Sequence, residues 1–282
     1  MFIRLDGSEL SKKLKIKLKE KITNNEIKLL IIVSDPSPAS QIYVRNKIKF
    51  CESLNIKAEV YDLSDIDDTN NFIIKMHEKI NSYNPSGVLV QLPIKPVLDT
   101  KKIIDAIPIE LDVDGFLYHR YSAEQKQKVL PCVLNAVLEL MREYHISFDN
   151  KKILLIGNGI TSNQPIIDYL NDHNIAFDLV TKQNQEELIN KTKEADIVIS
   201  AVGKARFLSQ YEFKKGFIFF DIGIDKIFDQ DQNKEIVCGD FDFDQASKIA
   251  SYGTPTPGGI GPLTIYSLTK NLVNLFLMFH NK

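Results

Sequence analysis

"ILLIGNGITSNQPIIDYL", residues 153–170, decides the fold class. An apolar run of strand character enters a glycine turn, and a helical pattern leaves it. Such a strand, turn and helix form the entrance to a dinucleotide-binding unit. The turn, GNGITSN, ends on an asparagine rather than a glycine, so the fingerprint is imperfect. The same rhythm continues on both sides. Strands are predicted over 28–33, 57–63, 86–92, 151–157, 176–180, 196–202 and 217–223. Helices are predicted near 41–55, 70–83, 99–106, 133–145, 163–173, 184–194 and 242–250. Strands alternating with helices indicate parallel sheets covered on both faces. The strand runs are apolar without clean alternation, as doubly covered strands should be. The expected class is α/β: two α/β domains with a cleft between them, the second a Rossmann-like parallel sheet.

The domain division follows from the pattern. Between the two strand–helix series, 108-PIELDVDGFLYHRYSAEQKQKVLPCV-133 is polar, turn-rich and poor in periodicity, and reads as a crossover with an exposed middle. A helix at 263–280 closes the chain and is apolar on most sides, so it should be buried. Residues 1–132 are expected to form a catalytic domain with helix 263–282 packed back on it. Residues 133–262 are expected to form the Rossmann-like domain.

Composition excludes several function classes. The 282 residues carry a formal net charge of −2, which gives no basic field for nucleic acid. The lysine-rich stretch 11-SKKLKIKLKEKI-22 reads as an amphipathic helix with a solvated face. No apolar run reaches the roughly 18 residues that span a bilayer, and MFIRLDGSEL lacks the pattern of a signal peptide. Cys51, Cys132 and Cys238 form neither a zinc pattern nor a disulfide framework. The expectation is a cytoplasmic protein with no metal, membrane or nucleic-acid partner.

Four short stretches hold candidate chemistry. In 38-PASQIYVRNKIKFCESL-54, Ser40 reads as the helix N-cap, and Val44, Ile48 and Cys51 share an apolar face. Tyr43 and Lys47, four apart, fall together at the edge of that face. A lysine half removed from water there can serve as a general base; it can equally be a stem snorkelling to solvent. In 87-GVLVQLP-93 a buried strand ends at Gln91, Leu92 and Pro93. Strand carboxyl ends are where parallel sheets bind ligands, and Gln91 could steer the amine of Lys47. It could also simply cap loop backbone. In 112-DVDGF-116, Asp112 and Asp114 would point the same way in an extended segment, and a lone carboxylate can accept two N–H donors from a flat heterocycle such as a pterin or purine. The alternative is an Asx-turn; calcium would need ligands that are absent. In 254-TPTPGGIGPLT-264, prolines stiffen the entry and glycines allow close backbone approach, either for a ligand or for a tight loop delivering the last helix.

Together, PASQIYVRNKIKFCESLNI, GVLVQLP, DVDGF, ADIVISAVGKARFL, FFDIGI, CGDFDF and TPTPGGIGPLT run in one order from about residue 30 to 275. In that order the chain resembles the bifunctional methylenetetrahydrofolate dehydrogenase/methenyltetrahydrofolate cyclohydrolase family. The resemblance implies a reduced folate substrate, oxidation of 5,10-methylenetetrahydrofolate with a nicotinamide cofactor, and hydrolysis of the methenyl product to 10-formyltetrahydrofolate. It implies Lys47 as the acid–base group, with Tyr43, Gln91 and Asp114 beside it. Leu92, Pro93, Pro257, Gly258 and Gly259 would line the folate site. Gly157, Asn158, Gly159, Ile160, Lys182, Ala201, Val202, Gly203 and Ile224 would hold the cofactor. The working form would be a homodimer.

The departures gather in the second domain. The family's cofactor loop reads G-R-S-x-x-V-G-x-P, and here it is GNGITSNQP, residues 157–165. The arginine and serine for the 2′-phosphate are Asn158 and Gly159, and the second glycine is Asn163. A side chain there should push the helix or the cofactor outward. No acid ends the next strand to bind ribose hydroxyls for NAD, since Asp178 lies too early; Lys182 suits a 2′-phosphate, so NADP is expected. The family's P-C-T-P-x-G is 131-PCVLNA-136, a change expected to alter the floor under the nicotinamide. The altered loop keeps two alternatives open: a cyclohydrolase without dehydrogenase, and a folate-binding subunit without catalysis.

Overall fold

The computed structural model describes residues 1–22, 26–35, 37–229 and 234–279. Strands and helices follow in the order β1 (Ile3–Arg4), α1 (Gly7–Lys21), β2 (Lys28–Val33), α2 (Pro38–Glu52), β3 (Lys57–Asp62), α3 (Thr69–Tyr83), β4 (Gly87–Val90) and α4 (Thr100–Asp105). They continue as α5 (Ala123–Lys128), α6 (Cys132–Glu143), β5 (Ile153–Ile156), α7 (Gln164–Asp172), β6 (Asp178–Val180), α8 (Leu188–Glu194) and β7 (Ile197–Ser200). The last are β8 (Ile218–Asp221), β9 (Asp225–Asp229), β10 (Lys234–Cys238), α9 (Phe243–Ala246), β11 (Tyr252–Gly253) and α10 (Ile260–Phe279). No helix among the described residues is long and apolar enough to cross a membrane.

The chain divides into two compact units, and two of the divisions fall inside α1 and α10. One unit comprises residues 14–132 and 265–282. Its sheet is three parallel strands in the order β3-β2-β4. β2 is the centre, and Leu29, Leu30, Ile31 and Ile32 are fully buried. The chain leaves β2 for β3 on one side and reaches β4 on the other, so the strand order reverses at the β2–β4 boundary. Ligand sites form at the carboxyl ends of strands beside such a reversal. Val88 of β4 also bridges in parallel to Asp112, which extends the sheet toward DVDG. From α10, the buried Asn271 donates through Nδ2 to the carbonyls of Val113 (2.9 Å) and Leu130 (2.7 Å). These bonds fasten the last helix to both ends of the 113–130 segment.

The crossover segment is more ordered than its composition suggests. It holds α5, capped by a reciprocal Ser122–Gln125 box, while Leu117, Tyr118, Tyr121 and Val129 are buried. Its exposed residues are Glu110 and most of 119–128.

The other unit comprises residues 1–13 and 133–264. Its six parallel strands run β1-β11-β8-β7-β5-β6, with the order reversing between β5 and β7. The first residues therefore stand with this sheet and not with the other unit: Ile3 and Arg4 pair with Tyr252 and Gly253. Sequence gave no warning, because a two-residue strand carries no period. Phe217, Phe219 and Phe241 stack in its core, with ring centroids 4.6–6.2 Å apart. A two-stranded antiparallel ribbon, β9 with β10, was also absent from the expected strands. The predicted helix 184–194 is a 3₁₀ stretch over Lys182–Glu187 followed by α8.

Candidate active site

Helix α2 sets out the first group. Its N-cap is Ser37, whose side chain accepts from the Ser40 amide at 3.4 Å, with Pro38 in the first turn. Ser40, expected as the cap, lies one turn inside and is buried. Val44 and Cys51 are buried on the inner face, and Lys47 sits at intermediate exposure beside them. Tyr43, one turn before, is exposed. Lys47 Nζ donates to Gln91 Oε1 at 3.0 Å. Gln91 follows β4 directly and is buried. Its Nε2 donates to the Leu92 carbonyl at 2.5 Å, which leaves the amide oxygen facing the lysine. The amide is thus held at both ends, as a buried polar group must be. Leu92 is half-buried and Pro93 exposed, joined by a cis peptide.

The two acids of DVDG do not share a task. Asp112 is buried and turned into its own loop, accepting from the amides of Gly115 (3.0 Å) and Leu117 (2.7 Å) and from the Tyr121 hydroxyl (2.8 Å). It is a turn anchor, and burial pushes its carboxyl upward. The extended segment expected there turns at Asp112 itself, whose carboxylate faces its own backbone. Asp114 keeps its carboxylate for other work. Burial pushes it up to about 6, Lys47 pulls it down, and Asp112 pushes it up. Cys132, whose amide donates to the Asp114 carbonyl at 3.0 Å, is a buried thiol in the same cluster and was not foreseen as a neighbour. One unit therefore holds an amine, a fixed amide and a carboxylate of raised proton affinity. Among the described residues no cluster could hold a metal ion.

The other unit holds the cofactor loop. At Gly157 the chain takes φ +88, and a Cβ there would lie 2.8 Å from the Ala201 carbonyl, so only glycine fits. The loop opens on a cavity of about 330 Å³ at the β5–β7 reversal. Gly157, Asn158, Gly159, Lys182, Ala201 and Val202 line it. Thr181, Gln183, Leu188 and Phe207 line it too; of these four, Phe207 alone falls in a quoted motif, ADIVISAVGKARFL. Ile160, Gly203 and Ile224 lie outside that lining; Ile160 and Ile224 are exposed.

Asn163 closes the loop from inside. Its side chain is fully buried, and Nδ2 donates to the carbonyls of Ile156 (2.8 Å) and Gly157 (3.0 Å). The amide folds back over the end of β5 through Nδ2, while its buried Oδ1 has no hydrogen-bond partner among the described residues. In the altered PCVLNA stretch, Leu134 is likewise fully buried. Its side chain is a core residue of this unit.

The GGIGP loop lies in the same unit. Ser8 donates through its amide to the Gly258 carbonyl at 3.0 Å, and Gly259 N–H donates to Pro255 at 2.8 Å. Pro257, after a second cis peptide, is exposed; Gly258 is half-buried and Gly259 buried.

Residues 5–114 match the tetrahydrofolate dehydrogenase/cyclohydrolase catalytic domain, and residues 131–279 match the NAD(P)-binding domain of the same family. The chain is 69% identical over 275 residues to the bifunctional protein FolD of Mycoplasmoides gallisepticum, covering 98% of this chain and 97% of that protein. Among solved structures it is similar to the bifunctional FolD methylenetetrahydrofolate dehydrogenase/cyclohydrolase of Campylobacter jejuni, with TM-score 0.87, 32% identity and 98% of each chain covered. It shares its fold with the Trypanosoma brucei methylenetetrahydrofolate dehydrogenase-cyclohydrolase complexed with NADP and inhibitor, with TM-score 0.88, 23% identity, and 100% and 99% of the two chains covered. Two domain matches in sequence, and near-complete coverage by a relative of such identity, leave one conclusion: the chain belongs to the tetrahydrofolate dehydrogenase/cyclohydrolase family.

Proposed function

We propose that Lys47, Gln91 and Asp114 carry out the folate chemistry of this bifunctional enzyme. The enzyme oxidises 5,10-methylenetetrahydrofolate to the methenyl form with NADP and hydrolyses that product to 10-formyltetrahydrofolate. The observation that carries the reading is the 3.0 Å bond from Lys47 Nζ to a glutamine amide fixed at its other end. Such a bond aims one lysine lone pair or proton along one direction. The amine form of Lys47 takes a proton from the water that attacks the methenyl carbon. Gln91 keeps it aimed. Asp114, ionised above about pH 6, accepts from the N–H edge of the pterin. Tyr43 presents its ring one helical turn away, on the side of α2 that carries Lys47. Leu92 and Pro93, directly after Gln91, wall the folate site on this unit.

The residues of the second loop fit a dinucleotide. Gly157 gives the close backbone approach, and α7 begins where phosphate-binding amides are needed. When bound, the dinucleotide supplies the two-electron oxidant for the first reaction. Lys182 at the cavity edge favours the 2′-phosphate of NADP. Asp178, an acid that might have served NAD, is 2.7 Å from Lys191 at the start of β6. A protein that kept only hydrolysis would have no need of this cavity. The family resemblance supports a homodimer, and three free thiols support a reducing cytoplasm.

Lys47→Met tests the central role. Methenyl hydrolysis should fall by roughly a thousandfold, while folate still binds in an equilibrium titration. Near-normal hydrolysis by the variant removes Lys47 from the mechanism.

A further inference from the structure

Two aspartates and two glycines form a reciprocal arrangement behind the dinucleotide cavity. Asp221 ends β8 and Asp240 follows β10; both are buried. Gly223 leaves no room for a side chain, because a Cβ there would run into the Asp240 carboxylate. At Gly239 a Cβ would run into the Asp221 carboxylate. The motifs DIG and GD, read separately in the sequence, are therefore two halves of one lock. Each aspartate sits in the space left by the other's glycine.

The lock has a direction. Asp221 accepts from the amides of Asp240 (3.1 Å) and Phe241 (3.0 Å), which fixes the backbone carrying Asp240. Asp240 then reaches to the loop after β7. Its Oδ2 accepts from Ser200 Oγ (2.6 Å) and the Val202 amide (2.8 Å), and its Oδ1 from the Lys204 amide (2.9 Å). Asp225 takes the next amide, Ala205, at 3.0 Å. Three amide donors of this loop, those of Val202, Lys204 and Ala205, are thus held by two carboxylates from later in the chain. Ala201 and Val202 of this loop line the cavity, and the Ala201 carbonyl is the group that Gly157 must clear.

We infer that Asp240, seated by Asp221, is a positioning residue that presets loop 201–204 for the dinucleotide. The inference rests on the cavity being the dinucleotide site. The carboxylate touches no reacting atom; its effect passes through the backbone it holds. Loss of the lock should therefore weaken cofactor use and leave the hydrolysis of the methenyl substrate, which needs no dinucleotide, unchanged.

The test uses the full chain with Asp240→Asn, and Ser200→Ala as the milder variant should the first fail to fold. Amide hydrogen exchange without cofactor reads the loop, and steady-state kinetics read the cofactor. In Asp240→Asn, exchange at 201–204 should quicken and KM for NADP should rise about tenfold, with methenyl hydrolysis within about twofold of the parent. Ser200→Ala should move the same readouts in the same direction by less. Unchanged exchange in the loop overturns the lock. Faster exchange with an unchanged KM for NADP overturns the assignment of the loop to the dinucleotide. Equal loss of both activities reduces Asp240 to a folding role and also overturns the proposal.

Discussion

The folate group and the dinucleotide loop teach opposite lessons about substitution. In the proposed function the chemistry around Lys47 belongs to side chains: its Nζ donates to the Gln91 amide oxygen, and the Asp114 carboxyl feels its charge. Around Gly157 the backbone is the chemistry, and side chains only support it. There the family's arginine, serine and second glycine are all replaced. Asn163 shows how: its amide bonds the carbonyls of Ile156 and Gly157 and fills the space behind the turn. A functional group that reacts must be conserved in kind. A scaffold can be rebuilt with any group that satisfies the same donors and volume.

The largest effect expected from this contrast is at Gln91. Gln91→Leu keeps the volume and removes the oxygen that receives Lys47. Hydrolysis should drop by roughly tenfold, the upper worth of one neutral hydrogen bond that aims the amine, with KM for NADP unmoved. An equal loss in cofactor affinity would merge the two regions that the comparison separates.

Asp114 comes next, through pH. Its carboxyl is pushed up to about 6, chiefly by burial. Above that value it is ionised and accepts from the pterin; as pH falls through it, the acceptor is lost. KM for the methenyl substrate should rise by about tenfold per unit below pH 6. Asp114→Asn should flatten that dependence at a uniformly high KM. A flat profile in the parent enzyme would detach Asp114 from substrate binding.

The loop predictions are smaller, as a scaffold role requires. Lys182→Ala should lower NADP use by roughly fivefold, the scale of one exposed charge contact, and leave NAD kinetics alone. An unchanged NADP-to-NAD ratio places the 2′-phosphate elsewhere. Asn163→Gly restores the family residue, yet it strips donors from two carbonyls at the end of β5. It should cost about 1 kcal/mol, a fall in Tm of roughly 2–4 °C for a chain of this size. A rise in Tm would mean that Asn163 is tolerated rather than used.

Much of the fold was legible because parallel strands announce themselves by apolar runs. Residues 28–33 are a strand in both readings, and 57–63 and 217–223 differ only at their ends. β1 and β11 were not legible: two residues each carry no period, and their pairing depends on parts of the chain some 250 residues apart. The Lys47–Gln91 pair was legible from strand-end placement and helix spacing. For DVDG the sequence left a ligand grip and an Asx-turn open, because an acid near a turn can face its own backbone as readily as a ligand; Asp112 takes the turn. Asp240 was quoted within a motif but given no task. Its partners lie 36 to 40 residues earlier, and no local pattern points to them.

The most direct test of the account is an initial-rate assay of the unaltered protein at the nicotinamide absorbance band, with 5,10-methylenetetrahydrofolate and either NADP or NAD. Reduction of NADP in preference to NAD, in a preparation that also hydrolyses methenyltetrahydrofolate, is the predicted result. Hydrolysis without reduction of either dinucleotide would contradict it, and would show that the rebuilt loop no longer serves a cofactor.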